Sequence, residues 1–475
     1  MIRLFTALLT ALVLFSAPAK ALQTGSNQWA TYNFYCHSMP ISELPWQTVT
    51  HILHVFVGIN PDGSVAPDMM CDTSTDRDAL ISAAHAHGVK VLLVVAGIDT
   101  GSTPGGSWTN LYNNASANAW VTAGKISAYA NQYGYDGVAM DPEPWVPMPT
   151  VMPVFTNLMR ALRLQLDPPK LLTSAATATR ETAQAWGHSE ALSYLDRLHV
   201  MSFNLAGNTP GGTSPTSYRA SFNAALWGRS PADGANGEAS VSDNVEMFMS
   251  YGTPPDKLNV VLPFYGVKFA SNPYPFSLTV PIPGQGTGDQ GDIPYNAIAA
   301  LGLPEIYDAI AQVPWAQGNG AWYSYDNPQS IRAKVDYVIA RGLGGIDAHE
   351  IGGQYFPSAT QKHPLWQSVT DAFAAPHLER PVSIDIDEAC LTRLVGTTQS
   401  FSGSISGASV PATIDIYVFN VAEQALSYKL GNSTMGGRFA TGALPNVGTG
   451  SYWLEIFAPG NQSIGKYPFK VLATP

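Results

Sequence analysis

Apolar positions along this chain recur in short blocks separated by longer stretches of helical spacing. The blocks are TYNFY (31–35), HILHVFVGI (51–59), GVKVLLVVAGI (88–98), YDGVAMDPE (135–143), KLLTSAA (170–176), LHVMSFNLAG (198–207), KLNVVLPFYG (257–266) and LGGIDAHEIGG (343–353). Between them, residues 76–87, 115–133, 152–166, 241–251 and 328–341 place apolar side chains at helical intervals. Eight strand-like runs alternating with helices, with glycine and polar residues at the strand ends, predict a (β/α)8 TIM barrel over residues 22–376. A doubly wound open sheet is the alternative, but no glycine-rich phosphate loop follows the first run. Residues 267–322, rich in Gly, Pro and Tyr, read as an insertion between the seventh and eighth strands.

The pattern changes after residue 376. From 382 to 475 apolar and polar positions alternate, as in TIDIYVFNV and YWLEIFA, and turn residues separate the runs. This predicts a small all-β sandwich. Tyr452 and Trp453 are candidate sugar-binding aromatics there, although alternating aromatics are more often core.

At the other end, Arg3, an apolar run over 4–15 and the small-residue sequence Ala19-Lys20-Ala21 predict a signal peptide over 1–21 and a secreted product, extracellular or periplasmic. The full chain has 24 basic and 35 acidic residues, a formal charge of −11. Without residues 1–21, which hold Arg3 and Lys20 and no acid, 22 oppose 35, giving −13. Such a surface is a poor partner for nucleic acid or an anionic membrane. Low charge density and 11% aromatic residues suit a neutral, flat-faced ligand. Cys36, Cys71 and Cys390 are too few for a disulfide framework. Cys36 and Cys71 can pair in an oxidising compartment, and three buried thiols explain the composition equally well. No spacing of His and Cys suggests a metal, and no cofactor is implied.

Barrel chemistry sits at the C-terminal ends of the strands. In the fourth run, Asp136-Gly137-Val138-Ala139-Met140-Asp141-Pro142-Glu143, alternation puts Ala139, Asp141 and Glu143 on the inward face. The two acids are then about 6 to 7 Å apart along the strand. That arrangement does not flank a sugar ring from opposite sides, as the two-carboxylate glycosidase scheme requires. It suits one acid that protonates a leaving oxygen and a second that orients a group of the substrate itself.

The segment DGVAMDPE resembles the D-G-x-D-x-D-x-E strand of family 18 glycoside hydrolases, the chitinases and endo-β-N-acetylglucosaminidases. MSFN (201–204), LPFYG (262–266) and the stretch 322–353 match further family segments in order. The resemblance covers roughly residues 28–375 and does not reach the C-terminal region. It implies substrate-assisted retaining hydrolysis. Glu143 is then the proton donor and later base, and Asp141 orients the 2-acetamido group and stabilises the oxazolinium. Asn204, Tyr265, His349, Phe203 and Trp145 become substrate-binding candidates, with Asp136 and Asp347 in support.

The chain also departs from that pattern. Ala139 stands where the family has its middle acid, and Val94 where the third strand usually carries a serine. The two changes look matched, because losing one hydrogen-bond partner costs about 1 to 3 kcal/mol whereas replacing both is nearly neutral. Phe203 replaces a tyrosine that holds the acetamido oxygen, Asn204 a neighbouring acid, and His349 a tryptophan floor. Asp347 is unexpected on the inward face of the eighth strand. With His349 it is expected to supply part of the polar network given up at Ala139 and Val94; pairing with a group in the barrel floor is the alternative.

Two functional classes follow. One is a secreted hydrolase of β-1,4 bonds next to N-acetylglucosamine, in chitin, peptidoglycan or an N-glycan. The other is a weakly active or inactive barrel that binds glycan or protein.

Overall fold

The computed structural model describes residues 28–35, 38–67, 74–97, 106–144, 147–166, 168–205, 222–226, 240–270, 293–308, 311–318 and 320–374, and beyond these the separate strands between 383 and 472. The expected signal peptide, all three cysteines and Trp145 therefore lie outside the described residues.

Eight parallel strands form the centre: Trp29–Tyr35, His51–Ile59, Lys90–Gly97, Gly137–Pro142, Leu171–Thr177, Arg197–Met201, Leu258–Pro263 and Gly345–His349. Each pairs with the next, and the eighth pairs with the first, so the sheet closes into the expected (β/α)8 barrel. Closure follows from strict alternation. Outward positions such as Ile52, Val91, Leu93, Val138, Met140, Leu198, Val200 and Ile346 are buried in one continuous core shared with the helices, together with Trp108, Phe155 and Trp186. The residues between them point into the barrel.

Local chemistry sets the helix boundaries. Thr179 and Ser240 accept hydrogen bonds from the backbone of Thr182 and Asp243, capping the helices Arg180–Gly187 and Val241–Ser250. Asn327 and Ser330 form a reciprocal capping box on Pro328–Ala340. The helix expected over 115–133 is longer, Ser107–Gln132, and is interrupted at Asn118, whose φ is −161°. The Asn118 side chain accepts from the Val121 N–H and restarts the helix there, so periodicity alone sees mainly the second segment. Two aspartates latch the N-terminal rim. Asp136 Oδ2 accepts from the Val91 N–H at 2.8 Å, and Asp196 Oδ2 accepts from the Leu172 N–H at 2.8 Å. Each thereby ties the strand it precedes to its neighbour.

Between the seventh and eighth strands the expected insertion forms a five-stranded antiparallel sheet, ordered Ile293–Pro294, Tyr265–Ala270, Ala321–Ser324, Val313–Gly318, Glu305–Asp308. Because Tyr265–Ala270 follows the seventh strand after only Phe264, this sheet stands on the rim where strand ends carry chemistry. The C-terminal strands form a three-stranded and a five-stranded sheet, largely antiparallel. Tyr452 is buried, which weighs against a sugar-binding role; the Trp453 side chain lies outside the described residues.

Close strand approach at Gly137 gives a direct test of this packing. A Cβ there would stand 2.3 Å from the Leu171 carbonyl oxygen. Gly137→Ala is expected to destabilise the barrel by about 1 to 3 kcal/mol, read as a lowered denaturant midpoint. An unchanged midpoint would contradict the register assigned to the fourth and fifth strands.

Candidate active site

The barrel interior is divided. Strands two to four contribute an apolar group, Leu53, Val55, Phe56, Leu92, Val94 and Ala139. Val94 and Ala139 are register partners. The remaining strands contribute Asn33, Thr173, His199, Asn259 and Asp347, all buried. Asp141 lies one inward position beyond Ala139, on the boundary between these halves and nearer the rim.

Asp347 has one hydrogen-bonding neighbour among the described residues, and no hydrogen bond joins it to His199. The Asn33 amide Nδ2 donates to both of its carboxylate oxygens at 3.3 Å, and His199 Nδ1 lies 3.3 Å from Oδ2. Both members of the His199–Asp347 pair are almost wholly inaccessible, at 2% and 3%. Asp141 differs. Its Oδ1 is enclosed with no hydrogen-bond partner among the described residues. Burial pushes its carboxyl up to about 6, the charge of Asp347 adds to the rise, and His199 acts in the opposite direction.

Glu143 follows the end of the fourth strand, half-buried, and lines a cleft of about 590 Å³ with Pro142, Thr177, Thr179 and Glu181. Tyr35 ends the first strand, against Phe56 and His349, and does not line this cleft. Burial raises its phenol far above the ordinary range, and the nearby charges of Asp141, Glu350, Glu143 and Asp347 raise it further. Glu350 is itself raised by burial, while the Gly352 N–H, which donates to Oε2 at 3.2 Å, acts against the rise.

Four rings form the floor. Phe203 and His349 stack with centroids 5.5 Å apart and planes 15° from parallel. Tyr35 and Tyr265 meet His349 edge-on at 5.7 and 6.0 Å. Beside them the Tyr265 hydroxyl donates to Asn204 Oδ1 at 2.9 Å. Asn204 has a left-handed backbone, φ 54°, and its N–H donates to Asn223 Oδ1 at 3.0 Å. An asparagine tolerates that conformation better than most residues.

The structure thus gathers Asp141, Glu143, Phe203, Asn204, Tyr265, Asp347 and His349 at or below one end of the barrel. Asp136 is not among them. It sits at the opposite rim, where it pairs with His85 at 2.9 Å and supports the strand rather than the site. Trp145 lies outside the described residues. Sequence reasoning missed Tyr35, Asn33, His199 and Glu350. Parity offered a signal for three of them: Asn33 and Tyr35 share one face of the first strand, and His199 lies two and four positions before Met201 and Phe203. Among the described residues no group of three or more His, Cys, Asp or Glu could hold a metal ion. No helix there is long and apolar enough to cross a membrane.

Residues 26–354 match Glycosyl hydrolases family 18, and the chain belongs to that family. It is 22% identical over 372 residues to an endochitinase of Manduca sexta, covering 71% of this chain and 65% of that protein's own length. In structure it resembles catalytic domain 2 of a group II chitinase from Ostrinia furnacalis, with a TM-score of 0.62, 20% identity and coverage of 74% of this chain and 97% of the other. It also resembles a mutant class V chitinase from Nicotiana tobaccum in complex with NAG4, with a TM-score of 0.61, 19% identity and coverage of 73% and 99%. At these identities the structural likeness establishes the fold.

The half-buried carboxyl of Asp141 has a measurable consequence. Its folded value, about 6, lies above the ordinary 3.8, so the stability it contributes is complete below about pH 4 and is lost as pH rises through about 6. Asp141→Asn removes the ionisation. The variant is expected to exceed wild type in stability by about 3 kcal/mol near pH 8, and the difference should vanish near pH 4. Parallel stability curves for the two proteins would show that Asp141 ionises freely in the folded state.

Proposed function

We propose that this family 18 chain is a secreted glycoside hydrolase that cleaves β-1,4 bonds next to N-acetylglucosamine, in chitin or a related glycan, by substrate-assisted retention. The observation that carries this reading is that Asp141, with its Oδ1 enclosed, and Glu143, which lines a cleft, lie at the same end of the barrel as the stacked rings of Phe203 and His349. The NAG4 complex of the Nicotiana relative agrees with an N-acetylglucosamine oligomer as ligand.

In this mechanism the sugar rests on the Phe203 and His349 rings. Glu143, protonated, gives its proton to the glycosidic oxygen as the bond to the anomeric carbon breaks. The acetamido carbonyl oxygen attacks that carbon from the opposite face, forming an oxazolinium. Asp141, as its anion, accepts from the acetamido N–H and balances the positive charge. Its enclosure strengthens that interaction, because little water competes for it. Glu143, now a carboxylate, takes a proton from water, and the water oxygen opens the oxazolinium with net retention.

Phe203 carries no hydroxyl to hold the acetamido oxygen. The Tyr265 ring meets Phe203 edge-on at 5.8 Å, and its hydroxyl donates to Asn204. Redirected to the acetamido oxygen, it would supply that hydrogen bond while Asn204 takes another donor.

Product analysis on chito-oligosaccharides, peptidoglycan and a high-mannose glycopeptide tests the reading. Turnover is expected on at least one, and Glu143→Gln should lower kcat by about 10² or more. Equal turnover by both proteins would remove Glu143 from its role. Binding without turnover by the wild type would instead make the chain a glycan-binding barrel. Phe203→Tyr is expected to raise kcat by about tenfold, with KM little changed, by returning a donor to the acetamido site. An unaltered or reduced kcat would mean that the donor is already supplied elsewhere.

A further inference from the structure

Asn223 is wholly inaccessible to solvent, yet it belongs to no strand or helix. A polar residue buried outside regular structure is stable only when its donors and acceptors are met. Its N–H donates to Ser324 Oγ at 2.8 Å, and its carbonyl oxygen accepts from the Leu205 N–H at 3.0 Å. Its side-chain Oδ1 accepts from the Asn204 N–H at 3.0 Å, and Nδ2 donates to the Tyr265 carbonyl oxygen at 3.4 Å. Asn204 and Leu205 follow the sixth strand, Tyr265 follows the seventh, and Ser324 ends the strand Ala321–Ser324 of the inserted sheet. The two backbone bonds would serve any residue at this position. The two side-chain bonds call for an asparagine, because one end must accept while the other donates.

With the bond from the Tyr265 hydroxyl to Asn204 Oδ1 at 2.9 Å, these contacts close a ring of three residues. Asn223 holds the main chains of Asn204 and Tyr265, and the Asn204 side chain holds the far end of Tyr265. The Asn204 backbone is left-handed, φ 54°, a conformation that a residue with a side chain keeps when its surroundings impose it. The bond from its N–H to Asn223 fixes that turn, and the turn carries the Asn204 amide to the phenol. Tyr265 in turn meets Phe203 edge-on at 5.8 Å and His349 at 6.0 Å.

We propose that Asn223 is a positioning residue for the glycosidase reaction: through Asn204 and the Tyr265 main chain, it fixes the phenol of Tyr265 against the Phe203 and His349 rings, where the sugar rests in the proposed mechanism. The inference rests on the glycosidase reading for its chemistry and on the hydrogen-bonded ring for its geometry. Asn223 itself touches no substrate atom. Its effect reaches the reaction through Tyr265: a hydroxyl already held in place is a preorganised donor, whereas one free to rotate must be ordered as the glycosidic bond breaks.

The test reads the phenol first, without turnover. In protein carrying tyrosine labelled with carbon-13 at its ζ carbon, the Tyr265 NMR signal is identified by its loss in Tyr265→Phe. Asn223→Ala removes both side-chain bonds, so the Tyr265 signal is expected to move from its wild-type position while signals of tyrosines away from the site stay. Asn223→Asp keeps the acceptor for the Asn204 N–H but sets a carboxylate against the Tyr265 carbonyl oxygen; a smaller movement is expected, and this variant serves where Asn223→Ala does not fold. An unmoved Tyr265 signal in a folded variant overturns the proposal. Kinetics on a chito-oligosaccharide then separate positioning from packing. Asn223→Ala should lower kcat by about tenfold with KM within about twofold, yet by less than about twofold further when Tyr265→Phe is already present. An equal loss of kcat in both backgrounds would mean that Asn223 only maintains the fold, and also overturns the proposal. Absence of turnover on every glycan would overturn the glycosidase reading and with it the role in the reaction, whereas the Tyr265 signal would still decide whether Asn223 holds the phenol.

Discussion

Like charge crowded into the mouth of a closed barrel is the constraint on which the rest of this structure depends. The carboxylates of Asp141, Glu350, Glu143 and Asp347 all act on the half-buried phenol of Tyr35. The group is only partly open to solvent, and each charge is met by a different device. Glu350 takes backbone N–H groups of the turn that follows it. Asp347 accepts from the Asn33 amide, with His199 Nδ1 3.3 Å away and not hydrogen-bonded to it. Glu143 stays at the cleft, partly in solvent. Asp141 has no hydrogen-bond partner for its enclosed oxygen among the described residues, so it keeps its proton to higher pH than an ordinary aspartate.

That last device ties energetics to chemistry. A carboxylate that is costly to ionise in the empty protein is one whose negative charge is best met when a positive centre arrives. An oxazolinium formed against Asp141 would be such a centre, which is why the residue suits stabilisation of a developing charge better than a solvated acid would. The apolar sector of strands two to four contributes by keeping water from the lower side of Asp141. Ala139 and Val94, paired across adjacent strands, belong to that sector and leave no broken hydrogen bond behind.

Much of this was legible in the sequence because a parallel barrel enforces a simple code. Near-continuous apolar runs mark its strands, and the end of each run marks the side where chemistry collects. Asp141 and Glu143 were readable for that reason, as was the inward position of Asp347. The code gives a side chain's face but not its layer, since the layer depends on how the strands are staggered. Thus Asp347 and His349 share a face, yet Asp347 takes the Asn33 amide beside His199 whereas His349 stacks on Phe203 nearer the rim. His199 and Tyr35 escaped notice because each lies within a run read for its apolar content. Asp136 shows the converse: an acid within a motif serves the opposite end of its strand, where it holds the backbone of the neighbour.

In the proposed mechanism the substrate's own acetamido group, oriented by Asp141, attacks the anomeric carbon before water does. Time-resolved proton NMR of a chito-oligosaccharide digest reads this directly through the anomer formed first. The account predicts the β-anomer, followed by slow mutarotation. First release of the α-anomer would contradict it, because direct attack by water would then have inverted the centre.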